Sequence, residues 1–60
     1  MITIMLHNRK SKWGVGYDYC EDIHTERLSN GLNIVFTSRR HRFEFSLKEY
    51  DFRIEQEDEE

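Results

Sequence analysis

The chain has 60 residues, a formal net charge of −3, 35% charged residues, one cysteine and no proline. This length allows one small domain over residues 1–60 and excludes a second domain or a linker. The lone cysteine, Cys20, excludes an intramolecular disulfide and favours a reducing, cytoplasmic setting, that of a host cell if the protein is viral.

The apolar run at the N-terminus, Met1 to Leu6, is too short for a signal-peptide core or a membrane span. Basic residues follow this run rather than precede it, so we expect no targeting segment and no membrane partner. A chain of this size buries only about 60% of its unfolded surface. We therefore expect marginal stability, or support from a partner or from a second copy as a homodimer.

Alternating apolar and polar residues predict four strands, in ITIMLH, WGVGYDY, LNIVFTS and RFEFSL. The polar stretch NRKSK is a turn between the first two, and two glycines in the second mark a bulge or a close backbone approach. The side chains expected to share the core-facing sides of these strands are Ile2, Ile4, Leu6, Trp13, Val15, Tyr17, Tyr19, Leu32, Ile34, Phe36, Phe43, Phe45 and Leu47.

The segment at residues 22–30 fits two structures. It can form a short helix with Asp22 as the N-cap, or the tip of a hairpin that turns at Asn30 and Gly31. The strand and turn are preferred, because the whole chain is rich in aromatic and branched residues.

The C-terminal segment is also open to both structures. Ser46 and Glu49 have the spacing of a helix capping box. However, Tyr50, Phe52 and Ile54 alternate with polar residues, which favours a fifth strand. The predicted fold is mainly β: a single small antiparallel sheet, or a partly open barrel, of four or five strands in meander order, with a short helix at 22–30 or at the C-terminus as the alternative.

Charge is segregated along the sequence. Basic residues form two clusters, which lie in the first and third predicted turns, and acidic residues gather in the second turn and in an acidic tail at residues 55–60. In a meander the first and third turns fall at the same end of the sheet, so the basic clusters are expected to form one basic pole. The acidic tail is expected to return to that pole. The basic residues are Arg9, Lys10, Lys12, Arg39, Arg40 and Arg42, and the acids of the second turn are Glu21, Asp22 and Glu26.

The acidic tail has two interpretations. One is a disordered end that keeps the chain in solution. The other is a row of carboxylates along an extended strand, where side chains on one face repeat every ~6.7 Å, so that the row imitates a nucleic-acid backbone; Arg53 interrupts it. The predicted acidic partner-binding residues are Asp51, Glu55, Glu57, Asp58 and Glu59.

No catalytic or metal-binding pattern is recognisable in the sequence. Cys20 and His24 are four residues apart, but two ligands do not make a structural metal site, and nothing would orient His24 as a base for a Cys20 nucleophile. We therefore expect no enzyme activity, no metal and no cofactor.

Two functions remain as hypotheses. The first is a small inhibitor or adaptor whose acidic surface docks on a protein that binds or processes nucleic acid. In size and charge segregation the chain is similar to small phage proteins that block host nucleases, polymerases or defence complexes, although no motif supports this likeness. The second is a module that binds single-stranded nucleic acid through the six residues of the basic pole together with Trp13. The first is preferred because acidic residues outnumber basic ones, 12 to 9.

Overall fold

The computed structural model describes residues 1–57, which form six β-strands and no helix. The strands are β1 (Ile2–Asn8), β2 (Gly14–Tyr17), β3 (Cys20–Leu28), β4 (Gly31–Ser38), β5 (His41–Ser46) and β6 (Tyr50–Gln56). The predicted mainly β fold is confirmed. Both ambiguous segments are strands, since β3 covers most of residues 22–30 and β6 covers the C-terminal segment. The described residues contain no helix that could span a membrane.

The strands form two antiparallel sheets of three strands rather than one sheet of four or five. The first sheet has the order β2-β1-β6, and the second has the order β3-β4-β5. The meander holds only within β1–β2 and within β3–β4–β5, because the chain crosses between sheets after β2 and again after β5. The single-sheet prediction was therefore wrong. It treated residues 22–30 as a short helix or the tip of a hairpin, where the chain in fact forms a nine-residue strand, Cys20–Leu28.

The core lies between the two sheets. Ile4 and Leu6 of β1 are buried against Ile34 and Phe36 of β4, the central strand of the second sheet. An aromatic layer completes the core around Phe36, whose ring centroid lies 5.4 Å from that of Tyr17. The side chains of Ile2, Val15, Phe43, Phe45 and Leu47 are half-buried and pack against this cluster. The alternation that predicted these inward positions is confirmed for them.

Trp13, Tyr19 and Leu32 depart from the predicted inward face, since Trp13 and Tyr19 are each 52% exposed and Leu32 is 40% exposed. Strand β2 runs from Gly14 to Tyr17 and includes neither Trp13 nor Tyr19. Tyr19 takes a φ of 55° where the chain leaves the first sheet. The prediction that glycine marks a close approach is correct at Gly16. A Cβ atom there would lie 2.9 Å from Sδ of Met5, so a larger residue would require this flexible side chain to shift.

Candidate functional site

Strand β6 forms one edge of the first sheet. It pairs with β1 along its whole length, from Asn8 with Tyr50 to Ile2 with Gln56. Within residues 1–57 no other strand pairs with its opposite side. A seven-residue edge strand presents a row of unpaired backbone groups, which is a template for pairing with another chain.

The hydrogen bonds at the two ends of this pair show which residues of β6 face outward. The amide of Glu57 donates to the carbonyl of Met1 at 3.0 Å, and the amide of Arg9 donates to the carbonyl of Glu49 at 2.8 Å. Hydrogen-bonded pairs alternate along an antiparallel ladder, so the odd-numbered residues of β6 bond to β1. The N–H and C=O groups of Phe52 and Ile54 therefore point to the free edge.

The same two residues bring apolar side chains to this edge. Phe52 pairs with Leu6 and Ile54 with Ile4, and directly paired residues share a face of the sheet. Leu6 and Ile4 are buried, but Phe52 is 40% exposed and Ile54 is 46% exposed. The edge of β6 thus combines free backbone groups with partly exposed apolar side chains.

The outer face of β6 carries the described part of the predicted acidic site. Asp51, Arg53 and Glu55 alternate there, opposite outward residues of β1. Asp51 forms an ion pair with Arg9 at 2.6 Å, and Arg53 forms one with Glu55 at 2.8 Å. All four side chains are largely exposed, and such pairs typically contribute 0 to about 1 kcal/mol. The expected carboxylate row is therefore a strand of alternating charge, and Glu57 follows it.

Residues Asp58 and Glu59 of that predicted site lie outside the described residues. The direction of β6 nevertheless corrects the predicted path of the acidic tail. Tyr50 lies beside the first turn and Gln56 lies at the far end of β1, so the strand carries Glu55 and Glu57 away from the basic residues of the first turn, whereas Asp51 stays beside Arg9.

The first turn gathers more positive charge than the sequence indicated. The guanidinium of Arg9 donates to the carbonyl of Leu47 at 3.2 Å, which holds this turn against the turn between β5 and β6. Lys48 of the latter turn joins a groove of about 410 Å³ with Asn8, Arg9, Lys10 and Glu49. We call Arg9, Lys10, Lys12 and Lys48 the first-turn cluster. Trp13 follows it, with its ring edge-on to Tyr50 at a centroid distance of 6.4 Å.

The third turn is a two-residue hairpin turn made of Arg39 and Arg40. Ser38 pairs with His41 across it, and the two arginines have φ values of 50° and 73°. Two positive φ angles define a type I′ turn, where asparagine and glycine are strongly preferred. The guanidinium of Arg39 lies over the ring of Tyr19, 5.1 Å from its centroid, so an exposed cation–aromatic pair forms beside this turn.

The two basic clusters do not form the predicted common pole. The first turn contacts the turn after β5, and Arg39 and Arg40 lie at the opposite end of β4 and β5. Strand β4 has eight residues and spans about 23 Å at ~3.3 Å per residue. The two basic clusters are separated because the extra strand β3 adds one reversal of the chain and so moves every later turn to the other end.

Arg42 belongs to a third group, on the outer face of the second sheet. It bonds to Glu26 at 2.8 Å and to Glu44 at 3.1 Å. Glu26 was predicted to lie in the second turn, at the end of the sheet opposite the basic pole that included Arg42. The contact between Glu26 and Arg42 shows that this prediction was wrong. The Glu26 carboxylate has a second partner in His24, whose Nε2 lies 2.8 Å from Oε2 of Glu26.

The imidazole of His24 has acceptors at both nitrogens. Its Nδ1 lies 2.7 Å from the carbonyl of Asp22, and its Nε2 faces the Glu26 carboxylate. Both nitrogens must then donate, so these partners favour the charged ring. The hydrogen bond to Glu26, followed by the one to the Asp22 carbonyl, raises the pKa of His24, and the same bond to His24 lowers the pKa of Glu26. Sequence alternation gave no signal for this group, which covers the buried Val35.

Cys20 does not form a joint site with His24, because Cys20 is buried and His24 is exposed. Its side chain is 4% exposed, its Sγ donates to the carbonyl of Tyr17 at 3.1 Å, and burial raises the pKa of its thiol. In the described part of the chain, no three His, Cys, Asp or Glu side chains are placed to hold a metal ion. Comparisons with protein-family models, with curated proteins and with solved structures found no match to this chain.

Proposed function

We propose that this chain is a non-enzymatic protein-binding module, an adaptor or inhibitor, which docks the free edge of β6 on another protein. The observation that supports this function is the coincidence of unpaired backbone groups with Phe52 and Ile54 on one edge. Addition of a strand to a sheet edge uses the same two elements: backbone hydrogen bonds give affinity and alternating side chains give specificity.

The charge after Ile54 indicates the kind of partner. Glu55 and Glu57 follow the apolar positions, and the sequence continues with three more acids. A partner strand with apolar residues that pack on Phe52, flanked by basic residues, would match both features. Proteins that bind or process nucleic acid carry such basic surfaces, so a protein of this class is the proposed partner.

The test is affinity capture from a lysate, followed by titration of the captured, purified protein. Phe52→Lys should weaken binding by at least about tenfold, because it places a charge at the centre of the docking edge. Leu28→Lys is the matched control, since Leu28 is 39% exposed on the other sheet. Equal affinity of the two variants would refute docking at β6.

A second titration addresses the acidic residues. Glu55, Glu57, Asp58 and Glu59 changed together to glutamine should weaken binding of the same partner and reduce its salt dependence. An unchanged affinity would show that the partner recognises only the apolar edge, and it would refute the proposed basic surface of the partner.

A second candidate function is the binding of single-stranded nucleic acid at the first-turn cluster. The observation in its favour is Trp13, which is 52% exposed next to this cluster and can stack on a base. Trp13 is the single tryptophan of the chain, so its fluorescence reports directly on contact with an oligonucleotide. Quenching that is lost with Lys10→Ala and Lys12→Ala, but kept with Arg39→Ala and Arg40→Ala, would support this function. No quenching by oligonucleotides at low salt would refute it.

A further inference from the structure

We propose that two copies of this chain pair antiparallel through the free edges of β6, and that Glu57 of each copy then approaches the first-turn cluster of the other copy. This pairing rests on the proposed function, because it gives the same protein-binding edge a specific occupant. A second copy and a foreign protein would exclude each other from β6.

The backbone of β6 allows this pairing without rearrangement. Phe52 and Ile54 direct their N–H and C=O groups away from β1, so a two-fold axis beside the strand lets two copies exchange these groups as an antiparallel ladder. Every such symmetric register places the odd-numbered residues at non-hydrogen-bonded pairs, where the side chains of the two strands approach each other most closely.

The order of charges along β6 selects one register. With Phe52 opposite Phe52 of the second copy, Asp51 stands opposite Arg53 of the second copy, and symmetry repeats this pair. An axis at Arg53 would place the two arginines against each other. An axis at Ile54 would pair Arg53 with Glu55 but set Asp51 against Glu57. The register centred on Phe52 also sets one like pair together, Glu55 with Glu49, but Glu49 lies in the groove that Arg9 and Lys48 line, so neighbouring cations offset this repulsion.

Antiparallel pairing also explains why the two charged ends of β6 differ. Within one copy, the first-turn cluster lies beside Tyr50 and pairs with Asp51, whereas Glu55 and Glu57 lie towards the other end of the strand. In the register centred on Phe52, the strand after Ile54 runs past Tyr50 and Glu49 of the second copy. Glu55 then lies near a like charge, but Glu57 reaches the turn that holds Lys48 and Arg9.

The experiment is a charge swap at the two paired positions, with the mass of the full-length chain measured by sedimentation or light scattering. The parent should be a dimer whose dissociation constant rises with salt. Asp51→Arg alone and Arg53→Asp alone each set like charges opposite one another and should weaken association by about 10- to 30-fold. The double variant should dimerise like the parent.

Mixing the two single variants gives the sharpest result. One copy then carries arginine at both positions and the other carries aspartate at both, so the mixture should form a heterodimer at concentrations where each variant alone is mostly monomeric. A parent that stays monomeric at millimolar concentration, single variants that dimerise like the parent, or a mixture that stays monomeric would each overturn the pairing. Circular dichroism checks that every variant is folded; the replaced side chains are 64% and 73% exposed.

Failure of the pairing and failure of the proposed function give different results. Capture of the foreign protein is measured with Phe52→Lys, whereas self-association is measured with the charge-swap variants. A monomeric parent that still loses its partner with Phe52→Lys refutes only the pairing. A dimer that follows the charge-swap pattern, with a foreign partner indifferent to Phe52→Lys, refutes only the proposed function.

Discussion

Replacement of the two arginines of the third turn by the residues that a type I′ turn prefers, Arg39→Asn with Arg40→Gly, should stabilise the protein. Both arginines have positive φ, at 50° and 73°, and neither is glycine or asparagine. A left-handed conformation costs a residue with a Cβ roughly 1 to 2 kcal/mol, and less for asparagine, whose short polar side chain can hydrogen-bond locally. Full relief by Arg40→Gly and partial relief by Arg39→Asn are therefore together worth about 2 to 3 kcal/mol.

Two losses oppose this gain. The contact of Arg39 with the Tyr19 ring, at 5.1 Å, disappears and takes about 0.5 to 1 kcal/mol with it. The new glycine makes the unfolded chain more flexible, which costs roughly another 0.5 to 1 kcal/mol. The net expectation is a gain of about 1 kcal/mol, because turn strain outweighs the exposed aromatic contact. For a domain of this size that raises the melting temperature by about 4 to 8 °C.

Thermal melts followed by circular dichroism measure this difference, with urea titration as a second method. The control is Ser29→Gly in the turn between β3 and β4, since Ser29 has no positive φ and Asn30 keeps the hydrogen bond that it accepts from Asn33. The control should gain nothing. A third-turn variant that melts at or below the parent, or a control that gains as much, would refute the assignment of strain to Arg39 and Arg40.

Three further predictions concern the core, the edge and the pH dependence. Phe36→Ala, at a side chain that is fully buried, should cost about 3 to 5 kcal/mol and unfold much of the protein, whereas Phe52→Ala at 40% exposure should leave a cooperative melt only slightly lowered. Ile54→Pro should stay folded in circular dichroism, since its N–H bonds nothing within β1, while Arg53→Pro removes a hydrogen bond to β1 and should lower the melting temperature clearly; equal loss in both would show that the assigned hydrogen-bond direction is wrong. The pKa of His24 is raised in the folded state, so its contribution to stability is complete below the unfolded value near 6.5 and is lost as pH rises through the folded pKa. Melts of the parent should therefore fall more between pH of about 6 and about 8 than melts of His24→Gln, and identical pH profiles would contradict the hydrogen bonding of this ring.

The candidate site was predictable only in its components. Alternation of Tyr50, Phe52 and Ile54 identified β6 as a strand and gave their common face, which the pairing with β1 confirms. Nothing in that pattern tells an inner strand from an edge strand, because both alternate in the same way. The exposure of Phe52 follows from strand order, and strand order depends on pairing between residues far apart in the sequence.

Local alternation was enough to predict the strand content and the side to which most apolar residues point. Ile4, Leu6, Ile34 and Phe36 are buried as their alternation predicts, since a two-residue period is a local property of extended backbone. Strand pairing and the position of each turn depend instead on contacts between residues far apart in the sequence. One additional strand at Cys20–Leu28 reversed the chain once more, and this placed the two basic turns at opposite ends and brought Glu26 to Arg42. Like charges that are clustered along a chain therefore lie together in space only if the number of chain reversals between the clusters brings them to the same end.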